Sequence, residues 1–316
     1  MGIIMLSTKD FLSIADLSSH ELSDLISFSV RIKRKPRRYR RALAGKNLLT
    51  LFAKPSLRTR LSFEVGMQQL GGHAIYYSIE ESTLGHKETI SDFANTASRY
   101  VDAIMARLYS HKELLSLAKH SSVPVINGLT DFSHPCQALA DAVTMLERKK
   151  KLAGLKLAYF GDGKNNTCHS LLEACAKLGI HMTIAAPKHH EFQPDHTVLD
   201  TAKTEALRNH CMINVTTDAH SAAANADVLY TDAWMSYHVS TREHARRRKA
   251  LKHYQVNEEL LSLAAKDAIF MHCLPAKRGE EVTSEVIDGP QSAVFDQAEN
   301  RLHAQKALLI RLLKEG

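Results

Sequence analysis

The chain has 316 residues, 44% of them hydrophobic and 24% charged, with a formal net charge of +7. It is long and apolar enough for a substantial core and, at about 100–200 residues per domain, for two domains, which excludes a disordered or fibrous protein. The positive excess is local: RIKRKPRRYRR, residues 31–41, holds eight Lys or Arg and the rest is close to neutral, so this run reads as a solvated helix end or loop, or else as a polyanion patch, and Arg246–Lys249 reads the same way.

In chain order, MGIIMLSTKDF comes first. Its apolar stretch is too short for a secretory signal, and Leu6 breaks the myristoylation pattern. No later run approaches the roughly 18 apolar residues of a membrane span, so the expectation is a soluble protein without membrane or nucleic-acid partners. From residue 45, strand-like runs alternate with amphipathic segments, the rhythm of βαβ units. NLLTLF is a strand, followed by FAKPSLRTR. Phe63, Met67 and Leu70 then mark a helix stopped by Gly71 and Gly72 and starting near Ser56. Its first turn offers backbone N–H groups, the positive dipole end, the Ser56 and Thr59 hydroxyls and the Arg58 guanidinium, which together make an anion site. Residues two apart on a helix diverge by about 200°, so Arg60 is assigned a structural role.

HAIYYS, AIMARLY and VPVING continue the strands. HPCQ then opens a helix with Pro135 in the first turn, a position proline favours. His134 falls at the cap, either as a plain capping residue or as a neutral imidazole donating to a carbonyl oxygen, and Gln137 adds an amide that both donates and accepts. ERKKKLAG, residues 147–154, is a charged break, after which LKLAYFG, IHMTIAAP, ADVLYTD and AIFMHCLP restart the rhythm. The expected fold is therefore α/β, two domains, each a mainly parallel sheet flanked by helices, covering 1–148 and 149–297, with a C-terminal helix at 298–316 packing back on the first.

YFGDGKNNTCHS lacks the third glycine of a dinucleotide fingerprint, because Asn166 stands there, and no acidic residue ends the next strand, which argues against a nicotinamide cofactor. The amides of Asn165 and Asn166 suit an amino-acid carboxylate, and Asp232 with Ser236 suits an ammonium. Cys273 in MHCLP reads as a nucleophile or as a small buried hydrophobe. The five cysteines include no C-x-x-C pair, which argues against a zinc or redox dithiol site and for a reducing, cytoplasmic compartment.

Together KPSLRTR, LGHKE, HPCQ, GDGKNN and HCLP resemble the aspartate/ornithine carbamoyltransferase family, and the resemblance runs from FLSIADLSSHEL to FDQAENRLHAQKALL. It implies a first domain that binds carbamoyl phosphate and a second that binds the amine. Ser56, Arg58 and Thr59 would grip the phosphate, with Leu57, in place of the family's usual Thr, contributing its backbone N–H. Arg107, His134 and Gln137 would address the phosphate and carbamoyl group. Cys273 and Leu274 would close over the carbamoyl end, and Arg301 would add a further contact. Asn166, Asp232 and Ser236 match the ornithine branch, as does HCLP. Tyr237 and His238 depart from that branch's Ser-Met-Gly, with a backbone contact surviving at Tyr237. The resemblance further implies transfer to ornithine to give citrulline in arginine metabolism, without metal or organic cofactor, in a homotrimer or multiple of trimers, with closure of the domains after carbamoyl phosphate binds. Thr83, where many relatives carry Gln, and Lys87 would contribute in trans. The alternative is another amine, such as putrescine or an acylated ornithine.

Overall fold

The computed structural model describes residues 6–79, 88–235 and 239–313. The chain divides into two compact units, Met1–Val143 with Glu299–Gly316, and Thr144–Ala298. Each contains one parallel sheet flanked by helices, as expected for the fold class.

In the first unit α1 (Ser19–Arg34) begins with a reciprocal cap: the Ser18 hydroxyl accepts from the Glu21 N–H while the Glu21 carboxylate accepts from the Ser18 N–H. Most of the basic run that follows Ile32 is exposed. Then come β1 (Asn47–Phe52), α2 (Leu57–Gln69), β2 (His73–Ser78), α3 (Ile90–Ala97), β3 (Ala103–Arg107), α4 (His111–His120), β4 (Val125–Leu129) and α5 (Pro135–Lys149). The sheet order is β2-β1-β3-β4, all parallel. Alternation along the strands turns Leu49 and Leu51 of β1 and Ile104 and Ala106 of β3 to one face, where they pack with Phe93, Ala94, Leu114 and Leu117 of α3 and α4. β1 pairs with β2 on one side and β3 on the other, so the connections leave it in opposite directions. In such sheets ligands collect at the carboxyl ends of the strands where the order reverses. Ser56 follows β1 and Arg107 ends β3 at that point.

The edge strand β2 departs from the buried pattern of a parallel sheet: Ile75 is 48% and Tyr76 36% exposed, and Leu57 and Leu61 on the neighbouring α2 are 69% and 48% exposed.

The second unit runs β5 (Lys156–Phe160), α6 (Asn166–Leu178), β6 (His181–Ala185), α7 (His196–Arg208), β7 (Ile213–Thr216), α8 (Ala219–Ala223), β8 (Val228–Thr231), α9 (His244–Leu251), α10 (Glu258–Leu263), β9 (Ile269–Met271) and α11 (Ser284–Ile287). Its sheet order is β7-β6-β5-β8-β9, with the reversal between β5 and β8. Phe160, Leu229 and Phe270 pack with Ala219, Ala223, Leu260 and Val286 in its core. The last helix, α12, spans Val294–Leu313. It starts before the expected residue 298, and its first residue, Val294, is buried in the core of the second unit. Among the described residues no helix is long and apolar enough to cross a membrane.

Candidate active site

β1 ends at Phe52, and the chain turns through Lys54 and Pro55 to Ser56, whose extended backbone makes it the N-cap of α2. The Ser56 hydroxyl accepts from the Thr59 N–H at 3.4 Å and donates to Thr59 Oγ1 at 3.1 Å. Thr59 is a hub: Arg107 Nη1 donates to the same oxygen at 3.4 Å and Arg301 Nη2 at 3.3 Å. Arg107 reaches it from the end of β3, where the register with β4 shifts between Ala106 and Arg107. Such irregularities re-aim a side chain. Two guanidiniums thus meet at a buried hydroxyl beside a helix N-terminus, with Arg58 half-buried one residue before it. Burial, and then the Arg107 charge, push the Lys54 ammonium below its ordinary value. A multiply charged anion would offset this concentration of positive charge. Arg60 turns away: its Nε donates to Glu64 at 2.8 Å and its guanidinium lies over the Tyr76 ring at 4.1 Å. Leu57 is largely exposed, so its side chain adds nothing to the hub.

A second set of contacts runs from Arg301 on α12 to α5. Arg301 Nη1 donates to Gln137 Oε1 at 2.8 Å, and Gln137 Nε2 donates to Asp141 Oδ1 at 2.8 Å. Gln305, with its amide turned so that the oxygen faces the guanidinium, accepts from Arg301 Nε at 3.2 Å. Asp141 and Gln305 are fully buried, and neither stood out in the sequence. An acid four residues along a helix from a glutamine is the only signal Asp141 leaves.

His134 immediately precedes α5, and its carbonyl accepts from the Gln137 and Ala138 N–H groups, as a cap residue's does. Burial, then the charges of Arg301, Arg107 and Arg58, hold its imidazole well below the usual histidine range. It is therefore neutral at pH 7. His303 on α12 is likewise lowered, to about 4, by burial and then by Lys306. Both histidines bind protons more weakly folded than unfolded, so their contribution to stability is intact above about pH 6.5 and is lost as the pH falls below it, for His303 until about 4. Denaturant midpoints of the whole protein should fall between pH 7 and 5, and the His303→Gln variant should lose part of that slope.

In the second unit β5 leads into the loop Gly161–Asn165. Gly161 sits at φ +111°, and a Cβ there would come within 3.0 Å of the Trp234 indole nitrogen, so the close approach requires glycine. Asn165 caps α6, its side-chain oxygen accepting from the Thr167 N–H at 2.7 Å, and is buried, whereas Asn166 is half-buried. The expected pair thus divides: the Asn165 oxygen is committed to the cap, and Asn166 opens the helix. Asp232 follows β8 and accepts from its neighbour's N–H, that of Ala233, at 2.8 Å. Cys273 follows β9, and its thiol donates to Asp232 Oδ1 at 2.9 Å. The other four cysteines are buried, whereas Cys273 is half-buried beside a carboxylate. Leu274 has φ +57°, a conformation costing a non-glycine residue roughly 1–2 kcal/mol. Its N–H donates to His272 Nδ1 at 2.9 Å, and the His272 N–H in turn donates to Gln297 Oε1 at 2.9 Å. One carboxylate oxygen of Asp232, one nitrogen of His272 and the Cys273 sulfur lie within 4.8 Å of one another.

The loops after β5 and β8 are joined by an arginine of the run expected to be a solvated helix end or loop, or else a polyanion patch. Arg247 on α9 is buried and ion-pairs with Asp162; its Nε donates to the Trp234 carbonyl at 3.1 Å, and its guanidinium lies 4.9 Å over the Phe192 ring. Only its neighbours follow the expected pattern: Arg246 pairs with Glu191 and Arg248 with Glu280 at the surface. Ser236, Tyr237, His238, Thr83 and Lys87 lie outside the described residues.

Residues 9–147 match the family model for the aspartate/ornithine carbamoyltransferase carbamoyl-P binding domain, and residues 153–312 that for the Asp/Orn binding domain. The chain is 50% identical over 316 residues to an ornithine carbamoyltransferase of Halalkalibacterium halodurans, covering 98% of this chain and 97% of that protein. It is 51% identical over 312 residues to that of Anoxybacillus flavithermus, covering 98% of each. Among solved structures, the ornithine carbamoyltransferase of Pyrococcus furiosus superposes with a TM-score of 0.94 at 46% identity, over 98% of this chain and 99% of that one. Ornithine transcarbamoylase of Giardia lamblia gives 0.90 at 38%, again over 98% and 99%. The arginine-lined hub in one unit and the Asp232–Cys273 pair in the other therefore stand in a chain that belongs to the aspartate/ornithine carbamoyltransferase family.

Proposed function

We propose that the protein transfers the carbamoyl group of carbamoyl phosphate to the side-chain amine of L-ornithine, giving L-citrulline and phosphate. The observation that carries this reading is the meeting of Arg107 and Arg301 on Thr59 at the capped start of α2, in a chain about 50% identical to ornithine carbamoyltransferases. Ser56, Arg58, Thr59, Arg107 and the backbone N–H of Leu57 hold the phosphate. Neutral His134 donates to the carbamoyl oxygen, and Gln137 and Arg301 address the carbamoyl end with Cys273 and Leu274. Asn166, Asp232 and Ser236 hold the α-carboxylate and α-ammonium, with Asn165 supporting Asn166 and Tyr237 adding a backbone contact.

The alkyl ammonium of ornithine, with a pKa near 10.4 in water, must lose one proton to solvent before it can attack. Asp232 and Cys273 orient the neutral amine. Its nitrogen forms a bond to the carbonyl carbon, negative charge grows on the oxygen beside His134, and the carbon–oxygen bond to phosphate breaks with its electron pair leaving on phosphate. The departing phosphate takes the amine proton. The fixed guanidiniums then face charge that is greatest as the bond breaks. The chemistry needs no metal or organic cofactor.

The enzyme works as a homotrimer or a multiple of trimers, with Thr83 and Lys87 acting in trans. The exposed apolar group Leu57, Leu61, Ile75 and Tyr76 on the first unit supports an interface there. Five free cysteines support a reducing, cytoplasmic setting. Incubation with carbamoyl phosphate and L-ornithine should yield one citrulline per phosphate released; phosphate release without citrulline would remove the reading.

A further inference from the structure

The amide of Gln137 has one chemically permitted orientation. On one side stands the Arg301 guanidinium, which only donates, 2.8 Å from Oε1; on the other stands the Asp141 carboxylate, which only accepts when ionised, 2.8 Å from Nε2. Turning the amide over would press an NH₂ against a guanidinium and a carbonyl against a carboxylate, with all three groups buried, where unmade hydrogen bonds cost most. Asp141 lies on the same helix as Gln137, one turn further on, and is fully buried.

We propose that Asp141 is a positioning residue: by fixing the Gln137 amide it presents Oε1, and never Nε2, to the group carried by the phosphate, and so makes the site select a carbamoyl donor over an acyl phosphate of the same shape. Arg301 links that oxygen to Thr59 through legs of 2.8 and 3.3 Å, so a short acyl group carried by a phosphate at Thr59 is within its reach. A carbonyl oxygen has two lone pairs, and Arg301 uses one. The second matches a carbamoyl NH₂, which donates, and is left without a partner by the methyl of an acetyl phosphate, which cannot. Sites built to bond a substrate N–H discriminate strongly against analogues that lack it, because their own buried groups are then unpaired. The inference rests on the proposed use of carbamoyl phosphate.

The test measures dissociation constants for carbamoyl phosphate, acetyl phosphate and inorganic phosphate in the wild type, Asp141→Leu and Asp141→Asn, together with the KM for the amine. Asp141→Leu removes the acceptor. It should weaken carbamoyl phosphate by about tenfold to a hundredfold, the scale of one lost hydrogen bond with its partner left buried, and narrow the ratio of acetyl to carbamoyl phosphate affinity. Inorganic phosphate binding and the amine KM should hold. Asp141→Asn keeps an oxygen for Nε2 and should retain most of the discrimination, and Gln137→Leu should reproduce the Asp141→Leu ratio with no further loss in the double variant. An unchanged ratio in Asp141→Leu, or equal weakening of inorganic phosphate, would overturn the role of Asp141 while leaving the transfer reaction intact. Should Asp141→Leu not fold, Asp141→Ala takes its place, and an acetyl-to-carbamoyl phosphate ratio unchanged from the wild type would overturn it equally. A wild type that fails to bind carbamoyl phosphate at all would instead remove the underlying reading.

Discussion

Arg58→Ala should lower turnover of carbamoyl phosphate by about 10²- to 10³-fold with any amine, the usual effect of removing one preformed donor to developing charge. The side chain is half-buried at the first turn of α2. Its backbone carbonyl accepts from Ser62 Oγ at 2.5 Å, an interaction alanine retains. Alanine is also the best helix former, so the thermal midpoint should hold while activity falls. Steady-state kinetics alongside a melting curve separate the two effects. Full turnover in the variant would show that the anion grip lies elsewhere; an equally large fall in Arg60→Ala would contradict the division of labour between the two arginines, because Arg60 is spent on Glu64 and Tyr76.

The second large effect is on stability. Arg247→Met should destabilise the fold by about 3–5 kcal/mol, since breaking a buried pair from one side strands the other charge. Here the stranded group is Asp162, which also accepts from the Lys164 N–H at 3.0 Å and sits in the loop that leads to Asn165 and Asn166. For a unit of this size that loss corresponds to a fall of roughly 6–20 °C in melting temperature. The double variant Arg247→Met with Asp162→Asn should regain much of the loss, because a neutral partner costs less to bury than an unpaired carboxylate. The KM for the amine should rise in Arg247→Met, whereas that for carbamoyl phosphate should not. Additive losses in the double variant would mean that the pair is not coupled.

Much of the fold was legible because parallel strands leave near-continuous apolar runs in the sequence. NLLTLF, HAIYYS and LKLAYFG each coincide with a strand. β7 leaves no such run: it is a four-residue edge strand with a single buried side chain, Ile213, too short and too mixed to carry a period. The start of α2 was legible from Ser56 and the spacing of Phe63, Met67 and Leu70, all three of which are buried. Arg301, by contrast, sits in an ordinary amphipathic helix, and no local pattern reveals that it reaches Thr59 and Gln137; only the family resemblance singled it out. The buried charges were the least legible. Arg247 stands in ARRRKAL between two arginines that pair at the surface, and Asp141 stands in an alanine-rich helix. A charge is buried only where a partner from elsewhere in the chain meets it, and that is information about pairing in space which the local sequence does not contain.

The most direct test of the central claim compares the purified wild-type enzyme on L-ornithine, putrescine and N-acylornithines at saturating carbamoyl phosphate, following the carbamoylated product of each. Asp232 and Asn166 address the α-ammonium and α-carboxylate in this account, so kcat/KM for L-ornithine should exceed that for either competitor, neither of which offers both charges. A clear preference for putrescine or for an acylated ornithine would contradict it.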